Sequence, residues 1–327
     1  MSRKHMSIVI TGGAGFIGSC LLKKLNIAGI TDIVIVDELG STEKWKNLLG
    51  KQYEDYVDKD FFLDALSKGT FDKTIDCIIH LGACSSTTET NAAYLMDNNF
   101  NYSKKLAEWT IRNKKRFLYA SSAATYGAGE KGYSDRDTVA PTLMPLNMYG
   151  YSKHAFDLWV LKNNLQKIFV GFKFFNIFGP NEYHKEDMRS MIHKGYQHIK
   201  QKGTIRLFKS YRKEYGDGEQ KRDFMYVQDA VDVVGYFFNN PQKTGIYNVG
   251  TGKAHSWNEL ACAIFKALDL NPSIEYFDMP HTLREKYQYF TEADITKLRQ
   301  AGFSSSFLKL EDAVKEYVAL LETTQYI

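Results

Sequence analysis

The chain has 327 residues, of which 44% are hydrophobic and 24% charged, enough to bury a full core without disulfides. Lys and Arg (42) nearly balance Asp and Glu (38), and no long basic block occurs, so the composition does not support a nucleic-acid role. No apolar stretch approaches the roughly 20 residues of a membrane helix. The start of the chain also lacks a signal-peptide pattern, so we expect a cytoplasmic protein without a membrane partner.

Four cysteines, Cys20, Cys77, Cys84 and Cys262, are scattered along the chain. They form no Cys-x-x-Cys pair and do not stand among histidines at zinc-finger spacing, so the sequence predicts no metal site. Thiols scattered in this way are typical of a reducing compartment, and we expect most of them to be buried as small apolar side chains.

In chain order, short apolar runs alternate with helical patterns. The runs cover residues 8–10, 33–36, 77–80, 117–120 and 168–172, and the helical stretches include residues 99–112 and 152–164. This alternation predicts an α/β fold with a Rossmann-like, doubly wound parallel sheet. Beyond about Gly179 the pattern loosens into charged loops and shorter elements, which predicts a smaller C-terminal substrate lobe. We expect a dinucleotide-binding domain over residues 1–175 and a mainly substrate-binding lobe over residues 176–327, with some segments returning to the first domain.

A glycine-rich turn follows the first apolar run and opens the first helical pattern. Gly12, Gly15 and Gly18 have the Gly-x-x-Gly-x-x-Gly spacing typical of short-chain dehydrogenases/reductases. Glycines let the backbone approach a pyrophosphate, whose charge the amides at the helix N-terminus stabilise. The turn therefore predicts a dinucleotide site.

The residues that follow leave the choice between NAD and NADP open. Asp37 ends the second apolar run, where an acid accepts hydrogen bonds from the ribose 2′-hydroxyl and so favours NAD. Lys44 and Lys59 are basic residues that could reach the 2′-phosphate of NADP.

Tyr149 and Lys153 stand four residues apart, which places them on the same face of a helix. We expect the Lys153 ammonium to lower the pKa of the phenol and to hold the nicotinamide ribose, so that Tyr149 exchanges a proton while hydride moves. Ser122 follows an apolar run and is the expected hydrogen-bond partner of the reacting oxygen. Sugar dehydratases of this architecture carry an Asp-Glu pair after that position, whereas this chain has Ala123-Ala124, so elimination chemistry is not expected.

Longer motifs are more specific than these. They include Gly-Ala-Cys-Ser-Ser-Thr-Thr-Glu at residues 82–89, Met-Asp-Asn-Asn at 96–99, the serine-rich segment 118–127, His184-Lys185, and Lys-Arg-Asp-Phe at 221–224. On these motifs the chain, from about residue 7 to about residue 320, resembles the ADP-L-glycero-D-manno-heptose 6-epimerase family of extended short-chain dehydrogenases/reductases.

The resemblance implies an enzyme that interconverts ADP-D-glycero-β-D-manno-heptose and ADP-L-glycero-β-D-manno-heptose, precursors of the lipopolysaccharide core. It implies transient oxidation at C6 with tightly bound NADP, and return of hydride to the opposite face after rotation about the C5–C6 bond. Two faces call for acid–base groups on two sides of the carbon, and the resemblance assigns these roles to Tyr149 and Lys185. It also implies a homo-oligomer, specifically a pentamer.

The resemblance further implies individual contacts. Beyond the glycines, the expected cofactor contacts are Phe16, Ile17, Asp37, Glu38, Lys44, Lys59, Leu81, Gly82, Ala83, Cys84, Ser85, Asn98, Lys153, Ile177 and Lys185. The expected substrate contacts are Ser122, Asn176, Asp187, Lys194, Phe208, Arg222 and Tyr287, with the Arg222 guanidinium suited to the ADP phosphates. Glu38 stands where the family usually has Asn, and an extra acid there disfavours a 2′-phosphate. The segments 135–148 and 209–220 are longer than the family pattern.

Two other functions remain in view. A UDP-sugar 4-epimerase would share Ser122, Tyr149 and Lys153 but would need no second base, so the His184-Lys185 pair favours the heptose enzyme. A non-catalytic cofactor-sensing protein could use the same fold, but it would not need an intact set of catalytic side chains.

Overall fold

A parallel sheet organises the molecule. The computed structural model describes residues 7–284, 287–323 and 326–327; the first six residues, part of the start that lacks a signal-peptide pattern, lie outside the described residues. The strands are β1 Ser7–Thr11, β2 Ile33–Asp37, β3 Asp55–Asp58, β4 Ile75–His80, β5 Arg116–Ser122, β6 Val170–Phe174, β7 Asn176–Phe178, β8 Ile205–Phe208, β9 Lys221–Arg222, β10 Phe224–Tyr226, β11 Gly245–Val249, β12 His255–Ser256 and β13 Ile274–Phe277.

Seven of these strands form one sheet in the order β11-β6-β5-β4-β1-β2-β3, and every pairing in it is parallel. The reversal of strand order beside β1 is that of a doubly wound sheet, so the predicted Rossmann-like fold is confirmed. The central strands are apolar throughout because helices cover both faces; Val9 and Ile10 are completely buried. Two-stranded pairs β7–β10, β8–β13 and β9–β12 lie outside this sheet.

Helices cover the sheet and build the second lobe. Their bounds are α1 Phe16–Ile27, α2 Lys59–Ser67, α3 Ala92–Leu95, α4 Tyr102–Arg112, α5 Met148–Lys162, α6 Met191–Lys202, α7 Val227–Asn239, α8 Trp257–Ala267, α9 His281–Arg284, α10 Thr296–Gln300 and α11 Leu310–Glu322. A π-helical turn, Met96–Asn101, joins α3 to α4, a kind of bulge that is frequent near functional sites. None of the helices described in residues 7–323 is both long and apolar enough to cross a membrane.

The predicted boundaries in the first half are close to the observed ones, with two shifts. The run at residues 168–172 starts too early, because residues 165–167 form a 3₁₀ turn after Asn164, whose left-handed φ of 56° follows the end of α5. The helix predicted over residues 152–164 begins four residues sooner, at Met148, where the Asn147 side chain accepts a hydrogen bond from the Gly150 amide at 2.8 Å.

The second half is more regular than predicted. Short strands are present beyond Gly179 as expected, but the expectation omits four longer helices: α6, α7, α8 and α11 contain 12, 13, 11 and 13 residues. Helix α7 packs against α1, and β11 pairs with β6, so these segments return to the main sheet. Of the four thiols, Cys20 and Cys77 are buried as expected, whereas Cys84 is half-buried and Cys262 is exposed.

Candidate active site

A cavity of about 1070 Å³ opens at the carboxyl ends of the main strands, where α6, β8 and their neighbours face the sheet. In open α/β sheets ligands bind at this edge. All the predicted site residues except Asp187 and Arg222 line this cavity, including Gly12, Gly15, Gly18, Phe16, Ile17, Asp37, Glu38, Lys44, Lys59, residues 81–85, Asn98, Ser122, Tyr149, Lys153, Asn176, Ile177, Lys185, Lys194, Phe208 and Tyr287.

The glycine-rich turn is packed so tightly that side chains would not fit. A Cβ on Gly18 would lie 2.1 Å from the Gly12 oxygen, and a Cβ on Gly12 would lie 2.6 Å from the Gly82 Cα. Gly15 caps α1 without a side-chain hydrogen bond, so the first amides of this 12-residue helix keep their donors toward the cavity. The turn fits the pyrophosphate of a dinucleotide.

The next part of the cavity is lined by paired charges. The Asp37 carboxylate accepts hydrogen bonds from the Ala14 and Glu38 amides, each at 2.8 Å, and forms an ion pair with Lys44. Lys59 lies 2.6 Å from the Glu38 carboxylate and donates to Asn98 at 3.0 Å. Asp37, which could accept from a ribose hydroxyl, therefore lies close to Lys44 and Lys59, which could bind a phosphate.

Tyr149, Ser122 and Lys153 line the cavity together. Burial raises the pKa of Tyr149, and a hydrogen bond with the Ser122 hydroxyl opposes that rise. The Ser122 Oγ also accepts from the Ala124 amide at 3.1 Å, so it caps a 3₁₀ turn as well as facing the phenol. The Lys153 ammonium donates a hydrogen bond to the Ala120 carbonyl at 2.9 Å. Burial lowers the pKa of Lys153 itself to about 8.

A buried ion pair behind these residues was not predicted. Asp157 lies one helical turn after Lys153, is completely buried, and pairs with Lys173 of β6 at 2.6 Å. The Asp157 carboxylate also accepts from Ser121 at 2.7 Å and from Tyr119 at 3.1 Å. Its charge raises the pKa of Lys153, against the effect of burial. The four-residue spacing from Lys153 is a sequence signal that could have revealed Asp157.

Lys185 enters the cavity from a different element, a pair of 3₁₀ turns over Tyr183–Met188. Its ammonium lies 5.4 Å from the centre of the Phe16 ring. Burial lowers the pKa of Lys185, and the carboxylate of Glu182 opposes that change. A lysine in this setting holds its proton less tightly than an exposed lysine, as a general base requires.

The far end of the cavity is lined by aromatic side chains. Phe208 lies 4.8 Å from Phe277 and 6.1 Å from Tyr287, whose hydroxyl accepts from the Trp257 indole at 2.9 Å. The Arg206 guanidinium covers the Phe277 ring at 4.4 Å. Phe277, Trp257 and Arg206 were not predicted, because the chain brings β8, β13 and α8 together only in the folded structure.

Two predicted substrate contacts do not line the cavity. The Arg222 guanidinium donates to the carbonyls of Lys221 and Gln288 and lies 5.7 Å from the centre of the Trp257 ring and 5.1 Å from that of the Tyr287 ring. Its fork therefore faces backbone carbonyls. Asp187 is exposed, and its backbone oxygen accepts from Lys194 at 3.1 Å, so its carboxylate is outside the lining.

Fold and cavity together define the class of a nicotinamide-dependent enzyme with a doubly wound sheet. The sequence model of the NAD dependent epimerase/dehydratase family matches residues 8–250. The chain belongs to this family.

Comparisons over nearly the whole chain show which members of this family it is most similar to among those compared. The ADP-L-glycero-D-manno-heptose-6-epimerase of Nitratidesulfovibrio vulgaris is 53% identical over 310 residues, which cover 95% of this chain and 96% of the relative. The protein of the same name from Fusobacterium nucleatum is 48% identical, with the same coverage. The solved structure of the Helicobacter pylori ADP-L-glycero-D-manno-heptose-6-epimerase matches with a TM-score of 0.81 at 28% identity, covering 98% of this chain and 97% of that one. Within the family, the chain groups with these epimerases.

A solved UDP-N-acetylglucosamine 4-epimerase from Methanobrevibacter ruminantium also has a TM-score of 0.81, at 26% identity, covering 99% of this chain and 100% of its own. Fold similarity therefore does not separate the two chemistries, whereas the 53% and 48% sequence identities to the heptose epimerases do.

Proposed function

We propose that the protein interconverts ADP-D-glycero-β-D-manno-heptose and ADP-L-glycero-β-D-manno-heptose by transient oxidation at C6. The observation that carries this proposal is that two proton-exchanging side chains enter the cavity from different elements, Tyr149 from α5 and Lys185 from the 183–188 turns. A C6 epimerase needs both, because C6 presents opposite faces to the cofactor before and after rotation, so its oxygen lies near a different side chain in each case.

We assign the cofactor as NADP, which when bound supplies the hydride acceptor and returns the hydride. The uncapped amides of α1 and the glycines would hold its pyrophosphate, and Lys153 would hold the ribose beside the nicotinamide. Lys44 and Lys59 support NADP over NAD, since both could turn from their carboxylate partners to a 2′-phosphate. Asp37 and Glu38 are the residues that work against this preference.

The chain's own residues handle the proton on each side. On one side, the Tyr149 phenol exchanges a proton with the C6 oxygen, and Ser122 donates a hydrogen bond to that oxygen. On the other side, Lys185 does the same in its neutral form, which its lowered pKa favours. Each of the two C6 epimers therefore exchanges its hydroxyl proton with a different side chain.

The aromatic end of the cavity suits the nucleotide of the substrate. A purine ring would stack against Phe208, Phe277 or Tyr287, and Arg206 and Lys194, which line the same cavity, would face the phosphates. Asn176 would contact the sugar. The proposed contacts of Arg222 are indirect, through the position of Tyr287.

Three further assignments belong to the same proposal. We assign the protein to the cytoplasm, as a homo-oligomer of the pentameric kind that the family resemblance implies. The dinucleotide-binding domain covers residues 1–175 and the substrate lobe mainly residues 176–327.

The test is to incubate the purified protein with ADP-D-glycero-β-D-manno-heptose and to resolve the two C6 epimers by anion-exchange chromatography. We expect conversion by the wild type, and a loss of at least about 100-fold in kcat for Tyr149→Phe and for Lys185→Ala. Conversion that persists in Lys185→Ala would show that Lys185 is not the second base. An inert wild type that instead converts a UDP-hexose would replace the heptose assignment with a 4-epimerase.

A further inference from the structure

The segment that carries Lys185 is closed into a ring by one carboxylate. We call residues 181–190 the Lys185 loop. Glu182, near its start, accepts hydrogen bonds from both the amide and the hydroxyl of Ser190, at 2.6 and 2.5 Å. Ser190 in turn caps α6 by accepting from the His193 amide at 3.3 Å. The two ends of the loop are therefore joined to each other and to the start of a helix.

Glu182 is buried more deeply than a loop carboxylate usually is. Its relative exposure is 0%, and it accepts a third hydrogen bond from the Tyr317 hydroxyl of α11 at 2.9 Å. The same hydroxyl lies 3.2 Å from the His193 ring. Burying a carboxylate costs desolvation free energy, which its hydrogen bonds must offset. The three hydrogen bonds of Glu182 therefore hold the loop against two helices.

The ring opposes a strained residue inside the loop. Glu186, immediately after Lys185, has φ 46° and ψ −120°, a conformation that glycine adopts readily and other residues avoid. Glu186 is exposed, and its carbonyl accepts from the Arg189 amide at 3.2 Å. Such a conformation persists only when surrounding contacts enforce it, and the Glu182–Ser190 closure spans it.

The charged and titratable groups around Lys185 come from two segments, the Lys185 loop itself and the segment after β2. Glu182 acts on Lys185 from within the loop. His184 is its neighbour, and burial lowers the pKa of His184 to about 4, so His184 is neutral near pH 7. Lys44, from the segment after β2, acts on His184. Glu182 is thus the anion that acts on the Lys185 ammonium.

We propose that Glu182 is a positioning residue for Lys185: its buried carboxylate closes the loop against the strain at Glu186 and so holds the amine in the cavity. This inference rests on the proposed function, in which Lys185 is the second base. It adds a residue that touches neither cofactor nor substrate but fixes the place and the charge of one that does.

Two substitutions separate the two effects of the carboxylate. Glu182→Gln keeps groups that can hydrogen-bond Ser190 and Tyr317 but removes the charge. Glu182→Ala removes both. Glu292→Gln is the matched control, because Glu292 also accepts from a backbone amide, that of Ala254 at 2.9 Å, but does not line the cavity.

The main readout is the reactivity of Lys185 itself. The purified protein is labelled with trace acetic anhydride across a pH series, and acetylation of Lys185 is quantified by mass spectrometry, with exposed Lys131 as reference. In Glu182→Gln the midpoint moves to lower pH, because the anion that stabilises the ammonium is gone. In Glu182→Ala the midpoint moves to higher pH, because the opened loop exposes the amine to water. A role limited to general folding would move both in the same direction.

A second-site variant tests the strain. Adding Glu186→Gly to Glu182→Ala should return the Lys185 midpoint toward the wild-type value, because the loop no longer resists closure. In turnover, we expect Glu182→Ala to lower kcat by about 100-fold, the effect of displacing a reacting group by about 1 Å, with little change in KM. Glu292→Gln should leave both the labelling curve and kcat unchanged.

Superposable labelling curves for the wild type and Glu182→Gln, shifts of the same sign in both variants, or no effect of Glu186→Gly would each overturn the proposal. The labelling needs no turnover. If the wild type fails to convert the heptose, the proposed function falls, and the labelling curves still decide whether Glu182 positions Lys185.

Discussion

At the scale of single residues, burial shifts the pKa of several acids and bases more than charge pairing does. Asp135 is 5% exposed, and burial raises its pKa from 3.8 to about 6, although its carboxylate accepts from the Asn248 amide at 2.8 Å. Because the folded pKa lies above the unfolded one, the charged form costs stability above about pH 6, and that cost disappears as the pH falls toward 4.

We therefore expect Asp135→Asn to raise the free energy of unfolding at pH 8 by about 1–2 kcal/mol, since each pKa unit is worth about 1.4 kcal/mol and the amide is a weaker acceptor. The gain should vanish near pH 4. Urea unfolding across this pH range measures it. Asp294→Asn is the control of opposite sign, because a hydrogen bond from Thr296 lowers the pKa of Asp294, and its loss should destabilise the protein at neutral pH. A loss of stability in Asp135→Asn at pH 8 would contradict the argument.

Which residues the sequence could reveal depends on how local their signal is. The glycine spacing, Asp37 and the Tyr149/Lys153 pair are set by one turn or one helix, and they line the cavity as expected. Arg222 matched a motif, but the direction of its guanidinium depends on Trp257 and Gln288, which are distant in sequence. Motif matching supplies a position and not an orientation.

At the scale of elements, the turn before α1 depends on the absence of side chains. We expect Gly18→Ala to weaken dinucleotide binding by at least about tenfold, because its Cβ would meet the Gly12 oxygen at 2.1 Å and displace the amides of α1. Isothermal titration calorimetry measures the change. Gly216→Ala is the matched control, since its Cβ would make only an ordinary contact with Glu219 at 3.4 Å. Equal affinities in the two variants would show that the turn tolerates a side chain.

The Asp157–Lys173 pair connects β6 to α5, the helix that also carries Tyr149 and Lys153. Lys173→Met should cost about 3 kcal/mol of stability, because it leaves a buried carboxylate without its partner. Adding Asp157→Asn should recover part of that loss, since no charge then remains buried. Urea unfolding compares both with Lys68→Met, which breaks an exposed pair with Asp64 and should cost less than about 1 kcal/mol. A double variant no more stable than Lys173→Met would show that hydrogen bonding, and not charge, dominates there.

Elements of the first half were predictable because their apolar runs are continuous and separated by clear turns. Strand β3 was missed, since Asp55–Asp58 has acids at both ends and only Val57 is buried. Helices α7 and α11 were missed because pattern reading stopped at the charged segments between them, although each carries an amphipathic repeat. Their packing partners α1 and α8 lie far away in the chain.

At the scale of the whole molecule, the cavity joins residues from the sheet and from the C-terminal lobe, so ligand binding should stabilise both. NADP at 100-fold over its dissociation constant should raise the free energy of unfolding by about 2.7 kcal/mol. At equal concentrations we expect a larger rise in Tm with NADP than with NAD, measured by scanning fluorimetry, because Lys44 and Lys59 can meet a 2′-phosphate. Glu38→Asn should widen that difference. A larger shift with NAD would reverse the cofactor assignment.

The place of β11 at the edge of the main sheet has a consequence for synthesis on the ribosome. Its partner β6 is complete at residue 174, but Gly245–Val249 emerges some 70 residues later, several seconds at ordinary rates of translation. Until then the nascent chain carries β6, buried on both faces in the finished protein, as an open strand edge. Open edges of this kind pair with other chains. The interval between the synthesis of these two strands is therefore a period in which the nascent chain can aggregate through this edge.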